Sequence, residues 1–244
     1  MSSPVYTKIA DELRKNIQDR VYAIGERLPA EIQLSERFGV NRHTLRRAIA
    51  LLRDEGLVRV DRGRGTFVAS TPIRYPIGKR VRYNEALKAQ GQTPSIQTVR
   101  CLQIPANETI AQELTLDFGD GVALVERLGL ADGQPISICT SYFPLQRFPD
   151  ILQHVESRTS KSISKLLHEV YRCDHLRQET RISARPVKPD DARLLQIPLN
   201  QPVLLVESTN TDRQGNAIEY GVTRFRGDLM ELVVENDLNE SDLN

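Results

Sequence analysis

The sequence predicts an α+β protein in two parts: an N-terminal winged helix-turn-helix, then a larger domain with a mostly antiparallel sheet and flanking helices. Helical periodicity recurs three times in the first 56 residues before a hairpin pattern, whereas the rest of the chain mixes strand-like and helical segments. The charge also divides: residues 1–75 hold 14 basic and 9 acidic side chains, and the other 169 residues hold 19 and 23. A basic N-terminal part is typical of a domain that meets a polyanion, although a difference of this size can arise by chance.

The composition of the 244 residues, 39% hydrophobic and 27% charged, is that of a soluble globular protein with a substantial core. No segment approaches the roughly 18 apolar residues of a membrane-spanning helix, so no membrane partner is expected. The N-terminus lacks the pattern of a secretion signal. Three widely spaced cysteines, Cys101, Cys139 and Cys173, predict neither a disulfide framework nor a metal-binding pair, and they favour a cytoplasmic location.

Two short helices are predicted before the most basic segment. The first starts at Ser3-Pro4, a capping residue followed by a proline suited to the first helical position. Its apolar residues then recur every four positions as far as Ile17. The second helix is predicted over about residues 29–38 and ends at Gly39, a residue type that commonly terminates helices.

The third predicted helix has an apolar face and a basic face. Asn41 caps its start, and Gly56 stands where a left-handed residue would end it. Its apolar stripe consists of Leu45, Ala48, Ile49 and Leu52. At about 100° per residue, a neighbouring face carries Arg42, Arg46 and Arg53. A helix held on a core by one side and basic on another is suited to a phosphate-lined groove.

A hairpin is predicted after the third helix. Residues 57–60 and 66–68 are strand-like runs, and the glycine-rich turn between them carries Arg62 and Arg64 at its tip. The two-residue connection Gly39-Val40 before the third helix is that of a helix-turn-helix. A basic helix or a glycine-rich turn, taken alone, more often has only a structural role. The order in which these features occur along the chain favours a DNA-binding winged helix-turn-helix in residues 1–70.

Several motifs in residues 5–69 recur in one known family. They are Leu28-Pro29-Ala30-Glu31, Phe38-Gly39-Val40-Asn41-Arg42, Thr44-Leu45-Arg46-Arg47-Ala48 and Gly63-Arg64-Gly65-Thr66-Phe67-Val68. With these motifs the segment resembles the GntR family of bacterial transcription regulators. The resemblance implies that the third helix enters the major groove of operator DNA and that the wing reaches the minor groove. It implies base or phosphate contacts at Arg42, His43, Thr44, Arg46, Arg47 and Gly65, to which the wing tip would add Arg62 and Arg64.

Arginine is suited to reading DNA bases because its guanidinium fork spans O6 and N7 of guanine. The remaining basic groups would hold phosphates and set the register on the duplex. A homodimer would let two third helices read half-sites about one helical turn apart, or a small multiple of it. One departure from the family concerns Ile32, which stands where some relatives carry a DNA-contacting arginine.

Residues 71–80 contain two prolines and a glycine and are predicted to link the first domain to a second one in residues 81–244. A helix, strand, turn, strand pattern occurs twice in that domain, about 81 residues apart. The strand motifs are Val122-Ala123-Leu124-Val125-Glu126 and Val203-Leu204-Leu205-Val206-Glu207. The repeat predicts two related halves of one sheet with a pocket between them, although unrelated hairpins can look this similar.

The second domain shows no sequence pattern of catalysis. His154, His168 and His175 have no metal-ligand spacing with one another or with a cysteine. No nucleophile elbow, phosphate-binding loop or zinc-protease helix occurs. We therefore expect no catalytic residue, metal or cofactor, and we expect Cys139 to be a core residue of its apolar strand.

Arginines on predicted strands suit a small anionic ligand. Arg127, Arg181 and Arg224 lie in strand-like segments, and Glu219-Tyr220 precede the last of them. Guanidinium and serine hydroxyl groups together can bind a phosphate or phosphonate. Each arginine alone could equally lie on a solvated face.

Further motifs in this domain are Ala131-Asp132-Gly133-Gln134-Pro135, Tyr142-Phe143-Pro144, Ile182-Ser183-Ala184 and Arg226-Gly227-Asp228. They are similar to UTRA, the effector domain of the HutC subfamily of GntR regulators, which resembles chorismate lyase in fold and binds small molecules without converting them. The resemblance implies effector contacts at Arg127, Ser162, Glu219 and Tyr220, with Arg181 and Arg224 as further candidates. Gly129 and Cys139 stand where sugar-phosphate-sensing relatives often carry Arg and Glu, which argues against an amino-sugar phosphate.

Residues 41–49 and 180–185 look most like the phosphonate-utilisation (PhnF-like) members of that subfamily. The expected function is that of a homodimeric repressor whose binding to double-stranded operator DNA responds to a phosphonate or phosphate ester. Three alternatives remain: a similar regulator of another metabolite such as a sugar phosphate or amino-acid derivative, an enzyme fused to a DNA-binding domain, and a constitutive DNA-binding protein.

Overall fold

The computed structural model describes residues 4–19, 21–23, 25–61, 63–69, 72–80, 83–157 and 162–234. The chain divides into two compact units, Met1–Thr71 and Pro72–Asn244. Each unit has its own apolar core, and the division falls next to residue 70, the predicted end of the first domain.

The first unit consists of three helices and an antiparallel hairpin. These elements are α1 (Val5–Gln18), α2 (Glu31–Phe38), α3 (Arg42–Asp54), β1 (Val58–Asp61) and β2 (Gly65–Val68). The predicted winged helix-turn-helix is therefore confirmed.

Side-chain caps and glycines fix the limits of the two central helices. The Oδ1 atom of Asn41 accepts hydrogen bonds from the backbone N–H of Thr44 at 2.9 Å and from its hydroxyl at 3.0 Å, and so starts α3. Gly39, with φ of 63°, ends α2, and Gly56, with φ of 73°, follows α3. Pro4 is the residue before α1, one position earlier than the first helical position predicted for it, and Ser3 lies outside the described residues.

The core of the first unit lies between the three helices and the hairpin. The four residues of the predicted apolar stripe of α3 are at most 5% exposed. They pack with Leu13 of α1 and Leu34 of α2. Burial of this stripe contributes roughly 1.5–3 kcal/mol per large side chain, and it turns the other side of α3 to solvent.

The second unit is built from eight strands and five helices among the described residues. In chain order they are β3 (Ile73–Pro76), α4 (Tyr83–Ala89), β4 (Pro94–Pro105), α5 (Glu108–Leu114), β5 (Gly121–Ala131), β6 (Gln134–Pro144), α6 (Ile151–Ser157), α7 (Ile163–Tyr171), β7 (Leu176–Pro186), α8 (Pro189–Leu195), β8 (Pro202–Thr211), β9 (Ala217–Arg226) and β10 (Met230–Val233).

Six of these strands form one antiparallel sheet in the order β4-β5-β6-β9-β8-β7. The order is symmetrical, because a β4–α5–β5–β6 half meets a β7–α8–β8–β9 half along β6 and β9. This arrangement matches the two related halves predicted from the sequence repeat.

Helices cover both faces of the sheet. On the face that we call the front, α6 and α7 pack on the β5–β6 end through Phe143 and Leu167, and α4 lies over Phe225 with β3 and β10. On the back, α5 packs near Tyr220, and α8 packs near Ile138. The space on the front between α4 and α7 is left for a cavity.

Part of the predicted linker is a strand. Within residues 71–80, β3 pairs in parallel with β10, so that Ile73 lies opposite Met230. Ile73 and Tyr75 are buried, which gives this proline-containing segment an inward apolar face despite its linker-like composition. The helices α4 and α6, which sequence periodicity did not predict, are only seven residues long.

None of the described helices is long and apolar enough to cross a membrane.

Candidate functional site

The first candidate site is the exposed side of α3 in the first unit. Arg42, His43, Arg46 and Arg47 are exposed, and Thr44 is half-buried. All five lie in the first half of the helix, where the N-terminal end also carries a partial positive charge from the peptide dipoles. This end is thus equipped to meet an anionic surface.

Two of these arginines are held by other helices. The Nε atom of Arg46 donates a hydrogen bond to Oε2 of Glu31, the first residue of α2, over 2.9 Å. The guanidinium of Arg47 lies 4.2 Å from the centroid of the Tyr6 ring in α1, a cation–π contact. Arg53, at the far end of α3, instead pairs with its neighbour Asp54.

The wing lies between β1 and β2. Gly63 and Gly65 have φ values of 74° and 119°, which residues with side chains rarely adopt. Arg64 is half-buried, 4.0 Å from Asp61, with its guanidinium 5.9 Å from the ring centroid of Phe67. Arg62 lies outside the described residues. A basic helix end and a glycine-rich wing are the two parts with which a winged helix can contact a duplex.

The second candidate site is a cavity of about 470 Å³ on the front of the sheet in the second unit. Its floor consists of inward-facing residues of β5, β6, β8 and β9, and its walls come from α4, the start of α7 and the start of β7. Residues from both halves of the repeat line it, in agreement with the predicted pocket between the halves.

Basic side chains outnumber acidic ones in the lining of this cavity. The basic residues are Arg127, Arg177, Lys88 and Lys165, and the acidic ones are Glu85 and Glu219. The first turn of α7 also lines the cavity, and Ser162 caps it by accepting a 3.4 Å hydrogen bond from the backbone N–H of Lys165. Helix N-termini and guanidinium groups both favour negative charge, so the cavity suits an anionic ligand.

A hydrogen-bonded chain of three residues runs through the cavity wall. The Nε2 atom of His175 lies 2.5 Å from Oε2 of Glu219, and its Nδ1 atom lies 2.8 Å from the hydroxyl of Ser164. Asn210 donates to the same Glu219 oxygen at 2.7 Å. Burial opposes ionisation of Glu219, but the charge and hydrogen bond of His175, with help from Ser141 and Arg127, hold its pKa below the usual range.

The other end of the cavity is aromatic. Tyr75, Tyr83 and Phe225 line it with ring centroids 5.4–6.0 Å apart. The hydroxyl of Tyr83 lies 3.0 Å from that of Ser137. Both groups crowd Gly129, because a Cβ atom there would lie 2.5 Å from the Ser137 oxygen and 3.3 Å from the Tyr83 oxygen. Tyr83 and Ser137 therefore occupy the space where a larger residue 129 would project.

The cavity brings together three of the six effector residues expected from the sequence. Arg127, Ser162 and Glu219 all line it. Cys139, expected to be a core residue, also lines it and is half-buried.

The other three expected effector residues, Tyr220, Arg224 and Arg181, have partners away from the cavity. Tyr220 donates to Glu207 at 2.6 Å and stacks on Tyr142. Arg224 contacts Thr140, Glu126 and Asp191, and Arg181 pairs with Glu113 and Glu179. Successive strand residues point to opposite faces, so Glu219 on the front places Tyr220 on the back.

Several cavity residues were absent from the sequence expectations. They are Ser164, His175, Arg177, Asn210 and Tyr83. One signal could have found Ser164, since it follows the expected Ser162 by two positions at the start of a helix. His175 and Arg177 lack such a signal, because only the fold brings the chain at the start of β7 to the same cavity as Glu219 of β9.

No group of three His, Cys, Asp or Glu side chains in the described part of the chain could hold a metal ion.

Comparisons with known proteins identify the families that the two units resemble. Residues 5–68 match the family model described as bacterial regulatory proteins, gntR family, and residues 89–231 match the UTRA domain. An uncharacterised HTH-type transcriptional regulator of Rhizobium meliloti is 33% identical over 96% of each chain. The probable transcriptional regulator PhnF of Escherichia coli is 33% identical over 94% of each chain.

A third relative and a solved structure are also named PhnF. The HTH-type transcriptional repressor PhnF of Mycolicibacterium smegmatis is 32% identical over 85% of this chain and 83% of its own. A crystal structure of PhnF from Mycobacterium smegmatis superposes with a TM-score of 0.65 and 28% identity, covering 97% of this chain and 100% of that one.

Proposed function

Because the chain belongs to the GntR family of bacterial transcription regulators and carries a UTRA effector domain, we propose that it is a homodimeric repressor released or retained on its operator by a small anion. The anion would be a phosphonate or phosphate ester, and the target an operon for its uptake or breakdown. The likeness to PhnF regulators supports this choice. The protein would act in the cytoplasm, where bacterial DNA lies.

The cavity carries the ligand part of the proposal. Its basic lining residues and the start of α7 line one cavity, which favours a compact anion over a neutral ligand. Arg127 and Ser162 would contact the anion directly. Glu219 already accepts hydrogen bonds from His175 and Asn210, so it would act by holding His175 against Ser164.

The three effector candidates on the back of the sheet would have a supporting role. Arg224 and Tyr220 lie on β9, the strand that carries Glu219, and their contacts with Glu126 and Glu207 join it to both halves of the sheet. Arg181 ties β7 to α5 through Glu113. These contacts would keep the floor of the cavity in place.

The first half of α3 and the wing carry the DNA part of the proposal. Arg42, His43, Thr44, Arg46 and Arg47 would enter the major groove, with Arg46 reading guanine. Arg62, Arg64 and Gly65 would contact the minor groove or its phosphates. Binding would weaken steeply as salt is raised, because each phosphate contact releases a counterion.

One paired experiment tests both parts. A thermal-shift panel of alkylphosphonates, phosphate esters, sugar phosphates and amino acids would identify a ligand, and gel shifts with DNA from the regulated promoter would show its effect. We expect Arg127→Ala to abolish the thermal shift and Arg46→Ala to weaken DNA binding, whereas Arg193→Ala on the exposed side of α8 should change neither. Unchanged affinity for DNA in Arg46→Ala, or for the ligand in Arg127→Ala, would contradict the corresponding part.

Ligand conversion is a second candidate function, favoured by the chain Ser164–His175–Glu219. Its connectivity, hydroxyl to imidazole to carboxylate, is that of an activated nucleophile, and it lies in the wall of the cavity that suits an anion. Hydrolysis of small anionic esters that is lost in Ser164→Ala would favour an enzyme. Recovery of the bound ligand unchanged would favour the sensor.

A further inference from the structure

We propose that Glu31 is a positioning residue that aims Arg46 at a base edge and thereby sets the sequence preference of the protein. The inference rests on the proposed entry of α3 into the major groove. It is motivated by the ion pair that joins the first residue of α2 to the exposed side of α3, with 2.9 Å between Oε2 of Glu31 and Nε of Arg46.

The atom that makes this contact matters. Glu31 binds Arg46 through Nε, which lies on the inner side of the guanidinium. The two terminal nitrogens then form the outer edge of the same rigid plane. Because two parallel N–H groups match O6 and N7 of guanine, a carboxylate on the inner side leaves the outer edge for the base.

The carboxylate itself is held in place. Glu31 lies in the first turn of α2, where the helix dipole favours negative charge. The side-chain oxygen of Gln33 accepts a hydrogen bond from the backbone N–H of Ala30 at 3.0 Å and fixes that turn. The side chain of Glu31 is 35% exposed, whereas that of Arg46 is 61% exposed. The more buried carboxylate, fixed at the start of a helix, therefore orients the more exposed guanidinium, and less side-chain entropy is lost when the arginine docks.

The negative charge of Glu31 also makes Arg46 favour a base edge over the phosphates of the DNA backbone. A carboxylate beside the guanidinium repels phosphates and partly neutralises Arg46 towards them, while a guanine edge brings no negative charge. Arg47 has a different partner, the neutral ring of Tyr6, and so keeps its full attraction for phosphate. The structure thus assigns base reading to Arg46 and backbone binding to Arg47.

The test is a selection from a pool of randomised duplexes with the full-length protein and four variants. The variants are Arg46→Ala, Glu31→Ala, Glu31→Gln and, as a matched control, Glu36→Ala, which removes an exposed glutamate from the same helix. We expect the wild type to select guanine at one position of each half-site, and Arg46→Ala to lose that preference by roughly 5- to 150-fold.

Glu31→Ala should lose most of the same preference at the same position, and Glu31→Gln, which keeps an acceptor for Nε, should restore part of it. Affinity for a duplex without the selected sequence should rise or stay constant in both, and Glu36→Ala should select as the wild type does. A destabilised α2 would weaken binding to all duplexes alike without changing base preference at one position.

Two outcomes would overturn the inference. If Glu31→Ala selects the wild-type sequence with undiminished preference, Glu31 does not position Arg46. If the wild type selects a sequence but Arg46→Ala keeps the whole preference, α3 does not read bases through Arg46. Failure of the wild type to enrich any sequence would instead overturn the proposed DNA reading, and this inference with it.

Discussion

The carboxylate of Glu219 and the imidazole of His175 meet at 2.5 Å although the two residues are 44 positions apart in the chain. Both side chains are almost fully buried, at 6% and 5% exposure. The contact connects the residue before β7 to β9, and β8 separates these two strands in the sheet. It therefore links one wall of the cavity to its floor.

We expect Glu219→Ala to lower the free energy of unfolding by about 3–5 kcal/mol, because His175 and Asn210 would lose a shared buried acceptor. Glu207→Ala is the matched control, since its carboxylate accepts from the hydroxyl of Tyr220 on the back of the sheet. That variant should cost only about 1–2 kcal/mol. Denaturant unfolding of the two variants would measure the difference, and equal losses would contradict it.

Acid should remove a stabilising contribution of Asp212. Burial opposes its ionisation, but hydrogen bonds from Asn216 and Arg147 lower its pKa from the usual 3.8 to about 2. A carboxyl with a lowered pKa in the folded state binds protons more readily when unfolded. Its contribution is therefore complete above pH 3.8 and is lost as the pH falls towards 2.

Unfolding free energies measured between about pH 5 and pH 2 would test this expectation. The slope should be shallower in Asp212→Asn, which keeps the shape of the side chain but cannot titrate. Glu219, whose pKa is also lowered, should leave part of the slope in place. A slope in Asp212→Asn as steep as that of the wild type would contradict the prediction.

Gly65→Ala should damage the wing more than Gly63→Ala does. Both glycines have positive φ, so either alanine would cost about 1 kcal/mol or more in backbone strain. At Gly65 the added Cβ would also lie 2.6 Å from Nε of Arg27, whereas at Gly63 no atom lies within 4 Å. Thermal unfolding and DNA affinity would both be measured, and equal effects of the two substitutions would argue against the Arg27 contact.

Gly129→Ala should disturb the aromatic end of the cavity. The new Cβ would lie 2.5 Å from the hydroxyl oxygen of Ser137, which is bonded to Tyr83. We expect a loss of about 1–3 kcal/mol in stability, as for overpacking of a core. Gly121→Ala on the same strand is the control, because its nearest neighbour would be 3.4 Å away.

Removing the Ser137 hydroxyl should restore the stability that Gly129→Ala loses. The double variant Gly129→Ala with Ser137→Ala would be compared with both single ones by thermal unfolding. If the loss of stability in the double variant equals the sum of the losses in the two single variants, the Ser137 hydroxyl is not what excludes a side chain at residue 129.

Local patterns predicted the first unit well because its interactions are local. The cap from Asn41 to Thr44 spans three residues, and the stripe from Leu45 to Leu52 lies within one helix. The sequence repeat likewise indicated the two halves of the sheet, since each half is a helix and a hairpin that are continuous in the chain.

Sequence patterns did not predict which strands pair when they are far apart in the chain. β3 pairs with β10 from the opposite end of the unit, and nothing in the composition of residues 71–80 indicates that partner. Tyr220 was expected to contact the effector together with Glu219 on the strength of the family resemblance, and Arg224 because it lies in a strand-like segment. On a strand, however, the face of each residue depends on register, which only the paired strands determine.

The pairing of β3 with β10 has a consequence for the order in which the protein can form during synthesis. The described apolar core of the winged helix consists of first-unit residues, so that core can form once the first unit has left the ribosome. The second unit cannot close until Met230–Val233 have emerged, because they supply the partner of its first strand. A nascent chain would thus expose a folded DNA-binding head before its ligand domain exists, and any truncation before β10 would leave Ile73 and Tyr75 without the strand that pairs with theirs.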